Sequence, residues 1–286
     1  MSKFSKVKRL AKVLFRNPAL LNIILEQNSA YDHHAKNLGF EDGLPVIDIL
    51  DLSTDFDETI EYHSLLDGGS LISDLALIKK ITKKYFEANY FEIGTWRGES
   101  VANVSGLAKE CYTLNLPTTE LQSLGLSEKY IGQQDFFSKK INGITHLKGN
   151  SMNFDFSPYY QKNDVVFIDG DHHFDSVKKD TETAFKLIKN ETSTIIWHDY
   201  GYSPEKIRYE LMCAIIEGTP KKYRKNLFHV SNTMCAIFTT KDYPVYWLKD
   251  KLLPSVSFTI NIKANKILSK QKKKFFCEKI TNSRWP

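Results

Sequence analysis

The stretch from Tyr90 to Ser100 constrains the fold most, because it reads as a strand, a glycine loop and a helix in succession. An apolar run ends at the acidic Glu92, and Gly94 and Gly98 follow in the loop. Glycine lets a backbone approach a ligand closely, and the first N–H groups of a new helix are unpaired. The junction therefore predicts a site for a polar or anionic cofactor. Its glycine spacing differs from the G-x-G-x-x-G pattern of dinucleotide sites.

Strand-like and helix-like runs alternate from residue 90 onward, and the strands are short and almost entirely apolar. Such strands, separated by helices, indicate an α/β fold in which helices cover both faces of a parallel sheet. Two further apolar runs, 227–230 and 234–239, flank a turn and predict an antiparallel hairpin at the end of the sheet. The predicted strands are 90–94, 111–115, 144–148, 164–169 and 193–198, and the predicted helices are 99–109, 127–140, 175–189 and 204–217.

Changes of composition along the chain divide it into three segments. We expect a basic N-terminal helix and cap at 1–69, an α/β domain at 70–240 and a basic extension at 241–286. The cap is expected beside the cofactor site. Residues 46–52 predict a short strand in the first segment, and the alternation of apolar and polar residues at 258–264 predicts another in the last.

Two helix starts are predicted from residues that can cap a helix N-terminus. Ser70 follows a Gly-Gly break and precedes apolar residues at helical spacing from Leu71 to Ile81. Asp175 directly precedes Ser176, where the next amphipathic run begins. Either side chain can accept a hydrogen bond from an unpaired N–H group of the first turn.

Basic residues are concentrated at the two ends of the chain. Residues 1–25 carry a net charge of +6, and residues 241–286 carry +8. Because the whole chain carries only +5, the body at 26–240 has a net charge of −9. An acidic body that lacks interleaved basic and aromatic residues argues against a nucleic-acid partner. The N-terminal helix is amphipathic and has Phe4, Val7 and Leu10 on one face. It either packs on its own domain or makes a peripheral contact with an anionic membrane.

The sequence predicts a cytoplasmic protein. A chain of 286 residues with 42% hydrophobic residues can bury a large core, but it contains no apolar run of about eighteen residues that could span a membrane. Residues 17–25 are interrupted by polar residues and proline and do not read as a signal peptide. The four cysteines are widely spaced and predict reduced, mostly buried thiols. The oligomeric state cannot be predicted from the sequence.

Polar side chains follow each predicted strand, at the edge where open parallel sheets bind ligands. The ends of the fourth and fifth strands carry both carboxylates and imidazoles, a set of ligands that suits Mg²⁺ or Mn²⁺. The residues at the five strand ends are Glu92 and Gly94, Asn115, Asn150 and Ser151, Asp169 to His173, and His198 to Tyr200.

Three motifs are specific enough to indicate a family: Phe-Glu-Ile-Gly-Thr-Trp-Arg-Gly-Glu-Ser at 91–100, Phe-Ile-Asp-Gly-Asp-His at 167–172 and Trp-His-Asp-Tyr at 197–200. With them, the chain from about 68 to 240 resembles class I S-adenosylmethionine-dependent methyltransferases, in particular the small-molecule O-methyltransferase branch that includes the cephalosporin-hydroxylase-like proteins. The resemblance implies a Rossmann-like, doubly wound, mostly parallel sheet of seven strands whose last strand is antiparallel. It also implies methyl transfer from S-adenosylmethionine to the hydroxyl of a small molecule or sugar.

The resemblance assigns the first four strand ends to the cofactor. Where the family usually has an acid at the ribose, this chain has Asn115, and where an acid usually meets the adenine it has Asn150. An asparagine can accept a hydrogen bond but lacks the charge of a carboxylate, so cofactor affinity is expected to be lower or lost. The cofactor-binding residues implied are Glu92, Gly94, Thr95, Gly98, Asn115, Asn150, Ser151 and Asp169.

The resemblance also implies a divalent ion held by Asp169, His198 and Asp199, with Asp169 and His172 as catalytic residues. His172 falls where catechol-type relatives have a lysine base, and an imidazole titrates near neutrality without a large pKa shift. The ion would lower the pKa of the acceptor hydroxyl, and His172 would take its proton before the oxygen attacks the methyl group. Candidate walls of the acceptor pocket are Trp96, Tyr200 and Tyr202.

Two other functions are compatible with these residues. A Rossmann-type oxidoreductase that uses a nicotinamide is disfavoured by the missing third glycine and by the acid-rich strand ends. A non-catalytic binding module that keeps the fold is favoured by Asn115 and Asn150. The hydroxylase activity in the name of the branch has no residue signature of its own here.

Overall fold

A computed structural model describes residues 3–16, 29–250 and 254–267 of the chain. Met1–Leu252 form one compact unit and Leu253–Pro286 form a second. In the second unit the described residues adopt neither helix nor strand, so the strand predicted at 258–264 is wrong. Its apolar side chains are exposed. An alternating pattern does not make a strand unless a neighbouring strand takes up its backbone hydrogen bonds.

One sheet of nine strands forms the centre of the first unit. A separate small hairpin is made by two more strands, which follow the sixth strand in the chain. In chain order the strands are β1 Val46–Ile47, β2 Ala88–Ile93, β3 Ala108–Asn115, β4 Ile144–Lys148, β5 Val165–Ile168, β6 Thr194–Trp197, β7 Gly201–Ser203, β8 Lys206–Ile207, β9 Leu227–Val230, β10 Ala236–Phe238 and β11 Val245–Tyr246.

The order of strands across the sheet is β11-β1-β9-β10-β6-β5-β2-β3-β4. Strands β2 to β6 run parallel to one another, and β10 is antiparallel to both β6 and β9. The predicted α/β fold, the five parallel strands and the antiparallel hairpin are therefore confirmed. The seven expected strands are extended at one edge by β1 and β11, which lie in the N-terminal and C-terminal segments.

Helices cover the sheet, and its central strands β5 and β6 are fully buried. Helix α9 packs against both α8 and α2, and α4 packs against α5. In the described part of the chain, no helix is both long and apolar enough to cross a membrane. The helices are α1 Lys3–Arg16, α2 Ser29–Asn37, α3 Ile49–Leu52, α4 Ile72–Thr82, α5 Glu99–Val104, α6 Thr118–Ser123, α7 Glu128–Ile131, α8 Phe174–Leu187 and α9 Tyr209–Gly218.

The predicted helix at 127–140 is wrong beyond its first turn, since α7 ends at Ile131. The chain then folds back on the glycine loop: the N–H of Asp135 donates to the carbonyl of Trp96, and that of Phe137 donates to the carbonyl of Arg97. Asp135 has a positive φ of 49°, which a helix cannot contain. Tertiary contacts with the loop thus override the local helical pattern.

Three smaller expectations are corrected by local hydrogen bonds. Residues 46–52 form a strand only at β1, because the side chain of Asp48 accepts from the N–H of Leu50 and starts α3. The predicted helix at 204–217 begins only at Tyr209, since β7 and β8 occupy its expected first turns. The helix predicted to start at Ser176 begins at Phe174, with His173 rather than Asp175 at its N-cap.

Ser70 does not cap α4 as predicted. The N-cap position is Leu71, and its N–H donates to the carboxylate of Asp74 at 2.8 Å. The cysteine prediction is confirmed for Cys111, Cys213 and Cys235, which are buried free thiols. Cys277 and the segment 17–25 lie outside the described residues.

Gly94 follows β2 with a φ of +98°, and it packs directly against the end of β5. A Cβ atom at this position would lie 1.9 Å from the carbonyl oxygen of Asp169. No side chain fits there, so the glycine is required by both its conformation and its neighbour. The contact fixes the end of β2 against the end of β5.

Substitution of Gly94 by Ala should therefore destabilise the protein by more than backbone strain alone. We expect Gly94→Ala to lower the free energy of unfolding by about 3 kcal/mol or more, as overpacking adds to the left-handed strain. Gly125 is a matched control, because it also has a positive φ but a Cβ atom added there would meet nothing within 4 Å. Gly125→Ala should cost only about 1 kcal/mol in urea unfolding. Equal losses for the two variants would contradict the role of the contact.

Candidate active site

The carboxyl ends of the neighbouring strands β2, β5 and β6 lie side by side at one edge of the sheet, and backbone hydrogen bonds join them. The N–H of Asp169 donates to the carbonyl of Ile93 at 2.8 Å, and the N–H of His198 donates to the carbonyl of Ile168 at 2.9 Å. The residues after these strands are thus held in register by the sheet itself. Of the carboxylates and imidazoles that follow the fourth and fifth predicted strands, four converge and Asp171 does not, because it bonds His173 and Ser176 instead. The four that converge are Asp169, His172, His198 and Asp199.

His198 lies at the centre of the cluster and is almost completely buried. Its Nδ1 atom lies 3.2 Å from Asp169 Oδ1 and 3.3 Å from Asp199 Oδ1. On the other side of the ring, Nε2 lies 3.1 Å from a carboxylate oxygen of Asp74 in α4. One imidazole therefore connects three carboxylates that come from three different elements.

His172 lies nearer to solvent on the same cluster. Its Nε2 atom is 2.9 Å from Asp199 Oδ2 and 3.9 Å from Asp169 Oδ1. The side chain of His172 is 40% exposed, whereas that of His198 is 5% exposed. The two histidines therefore differ in access: His172 can meet a ligand from outside, and His198 faces the carboxylates from within.

The charges of the cluster shift the pKa of each member. Burial disfavours charge on His172, but the carboxylates of Asp169 and Asp199 outweigh it and raise its pKa to about 9. The pKa of His198 is raised well above its usual value despite burial, chiefly by Asp169. Burial would raise the pKa of Asp199, yet the two imidazoles hold it well below its usual range. The pKa of His172 is therefore displaced, contrary to the expectation of an unshifted imidazole.

The backbone of Asp199 contributes to the geometry of the cluster. Its φ is +55°, in the left-handed region that costs energy for residues other than glycine. Aspartate tolerates this region better than most residues. The turn directs the carboxylate of Asp199 toward both histidines, instead of continuing β6.

The donor set of the cluster fits a divalent ion. Asp169, His172 and Asp199 offer ligand atoms that all lie within 4.8 Å of one another. Moreover, His172 Nε2 and His198 Nδ1 are buried and close to carboxylate oxygens, but neither has a partner in hydrogen-bond geometry among the described residues. Buried ring nitrogens that lack such a partner are available as ligands to an ion. Carboxylate and imidazole together suit Mg²⁺ or Mn²⁺.

The residues predicted to meet the methionine part of the cofactor lie at the end of β2. Glu92 is completely buried and accepts hydrogen bonds from the hydroxyls of Tyr90, at 2.7 Å, and Thr113, at 3.1 Å. Thr95 is also buried, and its hydroxyl lies 2.6 Å from that of Thr113. Gly98 is the N-cap of α5 with a φ of +75°. Glu92 and Thr95 are thus bound to the strands, and the loop itself is packed against Ser138 at Gly98.

The two asparagines that replace expected acids lie at the ends of β3 and β4. The side-chain amide of Asn115 donates to Gln134, a residue of the segment that follows α7. The side chain of Asn150 accepts from the N–H of Met152 at 3.0 Å and forms a local turn. Ser151 lies close to the buried Asp180 of α8, whose pKa is raised to about 7 by burial. Neither carboxylate oxygen of Asp180 has a partner in hydrogen-bond geometry among the described residues.

The residues predicted to wall an acceptor pocket differ in their exposure. Trp96 stacks on Tyr130 with ring centroids 4.0 Å apart, beside the glycine loop. Tyr202 is 44% exposed. Tyr200 is fully buried, and its hydroxyl accepts from the N–H of Leu44 at 2.9 Å. Tyr200 therefore belongs to the core, whereas Trp96 and Tyr202 remain accessible to a ligand.

The N-terminal segment is tied to the glycine loop by buried polar side chains. Arg97 donates to the carbonyls of Asp67 and Leu66, and Glu99 accepts from the N–H of Ser64 at 2.7 Å. Asn103 of α5 contacts the backbone of the same segment. These contacts bring part of the predicted cap beside the loop.

Sequence reasoning missed Asp74, which completes the cluster. It is fully buried in the first turn of α4, and besides His198 it accepts from the N–H of Met234 at 2.8 Å. The acid in a first helical turn is an ordinary capping signal. Nothing in the local sequence distinguishes this acid from others of its kind.

One protein-family model matches the central part of the chain. Residues 91–200 match the methyltransferase domain family. The matched range runs from the glycine loop of β2 to the end of the His198–Asp199 turn, so it contains all three motifs. The predicted resemblance to methyltransferases is confirmed for this segment. No curated protein sequence matches the chain.

Solved structures with a similar arrangement include several methyltransferases. The O-methyltransferase NovP is 14% identical with a TM-score of 0.45, and the match covers 59% of this chain and 79% of NovP. An O-methyltransferase from Bacillus cereus is 14% identical with a TM-score of 0.41, covering 62% and 84%. The YcgJ protein from Bacillus subtilis is 14% identical with a TM-score of 0.31, covering 44% of this chain. This chain spans about half the length of YcgJ, at 49%.

The buried Glu92 gives the stability of the protein a testable pH dependence. Burial raises its pKa to about 8, so the folded protein keeps a proton that the unfolded chain loses near pH 4.5. The stability due to this group is present below that pH and is lost as the pH rises through 8. Glu92→Gln should therefore reduce the fall in unfolding free energy between pH 5 and pH 8, by roughly 3 kcal/mol.

The measurement is chemical unfolding at a series of pH values. Glu120→Gln serves as the control, since Glu120 is exposed on α6 and its substitution should leave the pH dependence unchanged. If Glu92→Gln and the wild type lose stability equally as the pH rises, Glu92 does not keep a proton in the folded protein.

Proposed function

We propose that the chain is an S-adenosylmethionine-dependent O-methyltransferase that uses a divalent ion, Mg²⁺ or Mn²⁺. The observation that carries the proposal is the convergence of Asp169, His198 and Asp199 beside the Gly94 loop, within a segment that matches methyltransferase domains. The acceptor is a hydroxyl group of a small molecule or sugar. Ions of this kind lower the pKa of a hydroxyl and orient it for reaction.

Asp169, Asp199 and Nδ1 of His198 would hold the ion. His172, whose ring also lies within ligand reach of the two carboxylates, would stay outside the ion's ligand set and act as the base. The contact between His198 Nε2 and Asp74 supports His198 as a ligand, because a histidine ligand usually donates its other ring N–H to a carboxylate. That hydrogen bond would keep the remaining ring proton on Nε2, while the ion would displace the proton from Nδ1, which faces Asp169 and Asp199. The fully buried Asp74 thus holds the ring in place from behind.

His172 is the proposed base. Asp169 and Asp199 raise its pKa to about 9, and the charge of a bound divalent ion would offset them and lower that pKa toward neutrality. His172 lies at the outer side of the cluster, is partly exposed, and contacts Asp199 at 2.9 Å, so an acceptor that approaches the carboxylates also meets this ring. Asp199 orients the imidazole. Tyr202 and Trp96, both accessible, can border the acceptor. The in-line transfer then depends on the cofactor methyl group lying next to Asp169, at the end of β5.

The cofactor would lie across the ends of β2, β3 and β4. The backbone of Gly94 and Gly98 would border its methionine part, Asn115 its ribose, and Asn150 with Ser151 its adenine. Gln134 contacts Asn115, and this residue must turn aside when the ribose binds. Because both asparagines lack the charge of a carboxylate, we expect micromolar rather than tighter binding.

Calorimetric titration tests the proposal against its two alternatives. We expect S-adenosylhomocysteine and S-adenosylmethionine to bind in the micromolar range and NAD not to bind. Binding of NAD alone would favour a nicotinamide-dependent oxidoreductase. A folded protein that binds none of the three would favour the non-catalytic binding module.

The role of the ion is tested by repeating the titration with Mg²⁺ or Mn²⁺ in two variants. Asp169→Asn should abolish binding of the ion, because it removes a charged ligand while keeping the shape of the side chain. Asp171→Asn is the matched control, since Asp171 is a neighbouring carboxylate that bonds His173 and Ser176 outside the cluster. Equal ion binding by both variants would remove Asp169 from the site.

A peripheral contact with an anionic membrane is a second part of the proposal, and it is independent of the chemistry. The apolar face of α1 is uncovered: Phe4 is 82%, Val7 63% and Leu10 53% exposed. This exposure argues against the alternative that the helix packs on its own domain. Lysines and arginines occupy the rest of the helix, and its first turn has no acid. A basic helix with an exposed apolar face can bind an anionic lipid surface. For a protein predicted to be cytoplasmic, that surface would be the cytoplasmic face of a membrane.

Vesicle sedimentation tests this contact with one substitution on the apolar face. Leu10→Asp should weaken binding to vesicles that contain phosphatidylserine by about tenfold or more, as it removes buried apolar area and adds a negative charge. Leu124→Asp is the control, since Leu124 is an exposed leucine elsewhere in the unit. If the full-length wild type does not bind such vesicles, or if both variants bind alike, the membrane contact is wrong.

A further inference from the structure

A cavity of about 300 Å³ lies at the opposite edge of the sheet from the candidate active site. It opens where β6 begins, at Thr194, and where β10 ends, since Phe238 pairs with Ile195. His198 stands at the other end of β6, about 13 Å away at roughly 3.3 Å per residue. The C-terminal end of α4 completes the cavity wall. Nothing in the proposed methyl transfer uses this region.

Two lysines line the cavity without a partner of opposite charge. The Nζ atoms of Lys84 and Lys241 lie 6.0 and 5.2 Å from the ring centroid of the same residue, Tyr243. No described carboxylate lies within ion-pair distance of either ammonium group. The nearby Lys80 differs, because it is paired with Asp55 at 3.1 Å. The two lysines therefore concentrate positive charge around one aromatic ring.

The rest of the cavity combines hydroxyl groups with an apolar floor. Threonines at the start of β6 and after β10 line one side. Ile81 of α4 and Ile237 of β10, both buried, form part of the floor. The hydroxyl of Tyr85 is already bound to Thr192 and Thr194. Such a surface offers cations and hydroxyls to one end of a ligand and apolar contact to the other.

We propose that this cavity binds a small organic anion, with a phosphate or carboxylate group near Lys84 and Lys241 and an apolar or aromatic body against Tyr243, Ile81 and Ile237. The anion neutralises the two lysines, and its apolar part covers the floor. The site is separate from the cofactor edge and its occupancy does not depend on the proposed methyl transfer.

The electrostatics of the cavity support a ligand rather than a structural role. Burial, and then the charges of Lys241 and Lys80, lower the pKa of Lys84 to about 8. Two uncompensated cations repel each other and destabilise the folded protein. Local features that oppose stability in this way are expected where a protein binds something. A bound anion reverses the effect and restores the charge of Lys84.

Binding is tested by calorimetry with phenyl phosphate, benzoate and the uncharged benzyl alcohol, at constant ionic strength and pH 7, on the full chain. We expect phenyl phosphate or benzoate to bind and benzyl alcohol to bind at least tenfold more weakly. The anion that binds more tightly shows whether the site prefers a phosphate or a carboxylate group.

Lys84→Gln and Lys241→Gln should each weaken anion binding at least fivefold. Lys139→Gln is the control, since Lys139 also lies over an aromatic ring, that of Phe136, but outside the cavity.

Thermal unfolding of the same variants, without ligand, tests whether Lys84 and Lys241 repel each other. If the lysines repel each other, Lys241→Gln should unfold at the same temperature as the wild type or a higher one. Nitrogen-detected NMR of the lysine side chains should show the pKa of Lys84 rising when phenyl phosphate is added. The proposal is overturned if neither anion binds the wild type, if Lys139→Gln weakens binding as much as Lys84→Gln, or if benzyl alcohol binds as tightly as the anions.

Discussion

The candidate site depends on the imidazole of His198, which lies between Asp74 on one side and Asp169 and Asp199 on the other. Buried carboxylates are costly unless a cation or hydrogen bonds compensate them. Without this ring, the two carboxylates at the ends of β5 and β6 would share only the more exposed His172, and Asp74 would lose its imidazole partner. The same ring ties the first turn of α4 to the sheet. One side chain therefore contacts the helix and both strand ends at the site.

The sheet separates two regions of opposite chemistry. Its carboxyl edge collects carboxylates and imidazoles, as the direction of parallel strands dictates. Its other edge, around Thr194, has Lys84 and Lys241, which no described carboxylate pairs. Helix α4 spans both, with Asp74 at its start and Ile81 near its end. In each region charge is left without a full set of partners, which is expected where ligands rather than packing complete the interactions.

Much of this architecture can be predicted from the sequence, because apolar runs mark the strands and polar residues mark their ends. The convergence of Asp169 and Asp199 follows from strand direction alone. Asp74 could not be predicted, since it is 124 residues from His198 in sequence and resembles any acid in a first helical turn. The helical pattern after α7 was misleading because contacts with Trp96 and Arg97 outweigh local propensity. The raised pKa of His172 likewise depends on neighbours that only the fold supplies.

The measurement that tests the central claim most directly is anomalous diffraction from crystals grown with Mn²⁺ and S-adenosylhomocysteine. The account predicts one strong peak at ligand distance, roughly 2.0–2.3 Å, from carboxylate oxygens of Asp169 and Asp199 and from Nδ1 of His198. His172 should be free of the ion, and the nucleoside should lie over the ends of β2 to β4. No peak at this edge, or a peak bound by His172 instead of His198, would contradict the assignment.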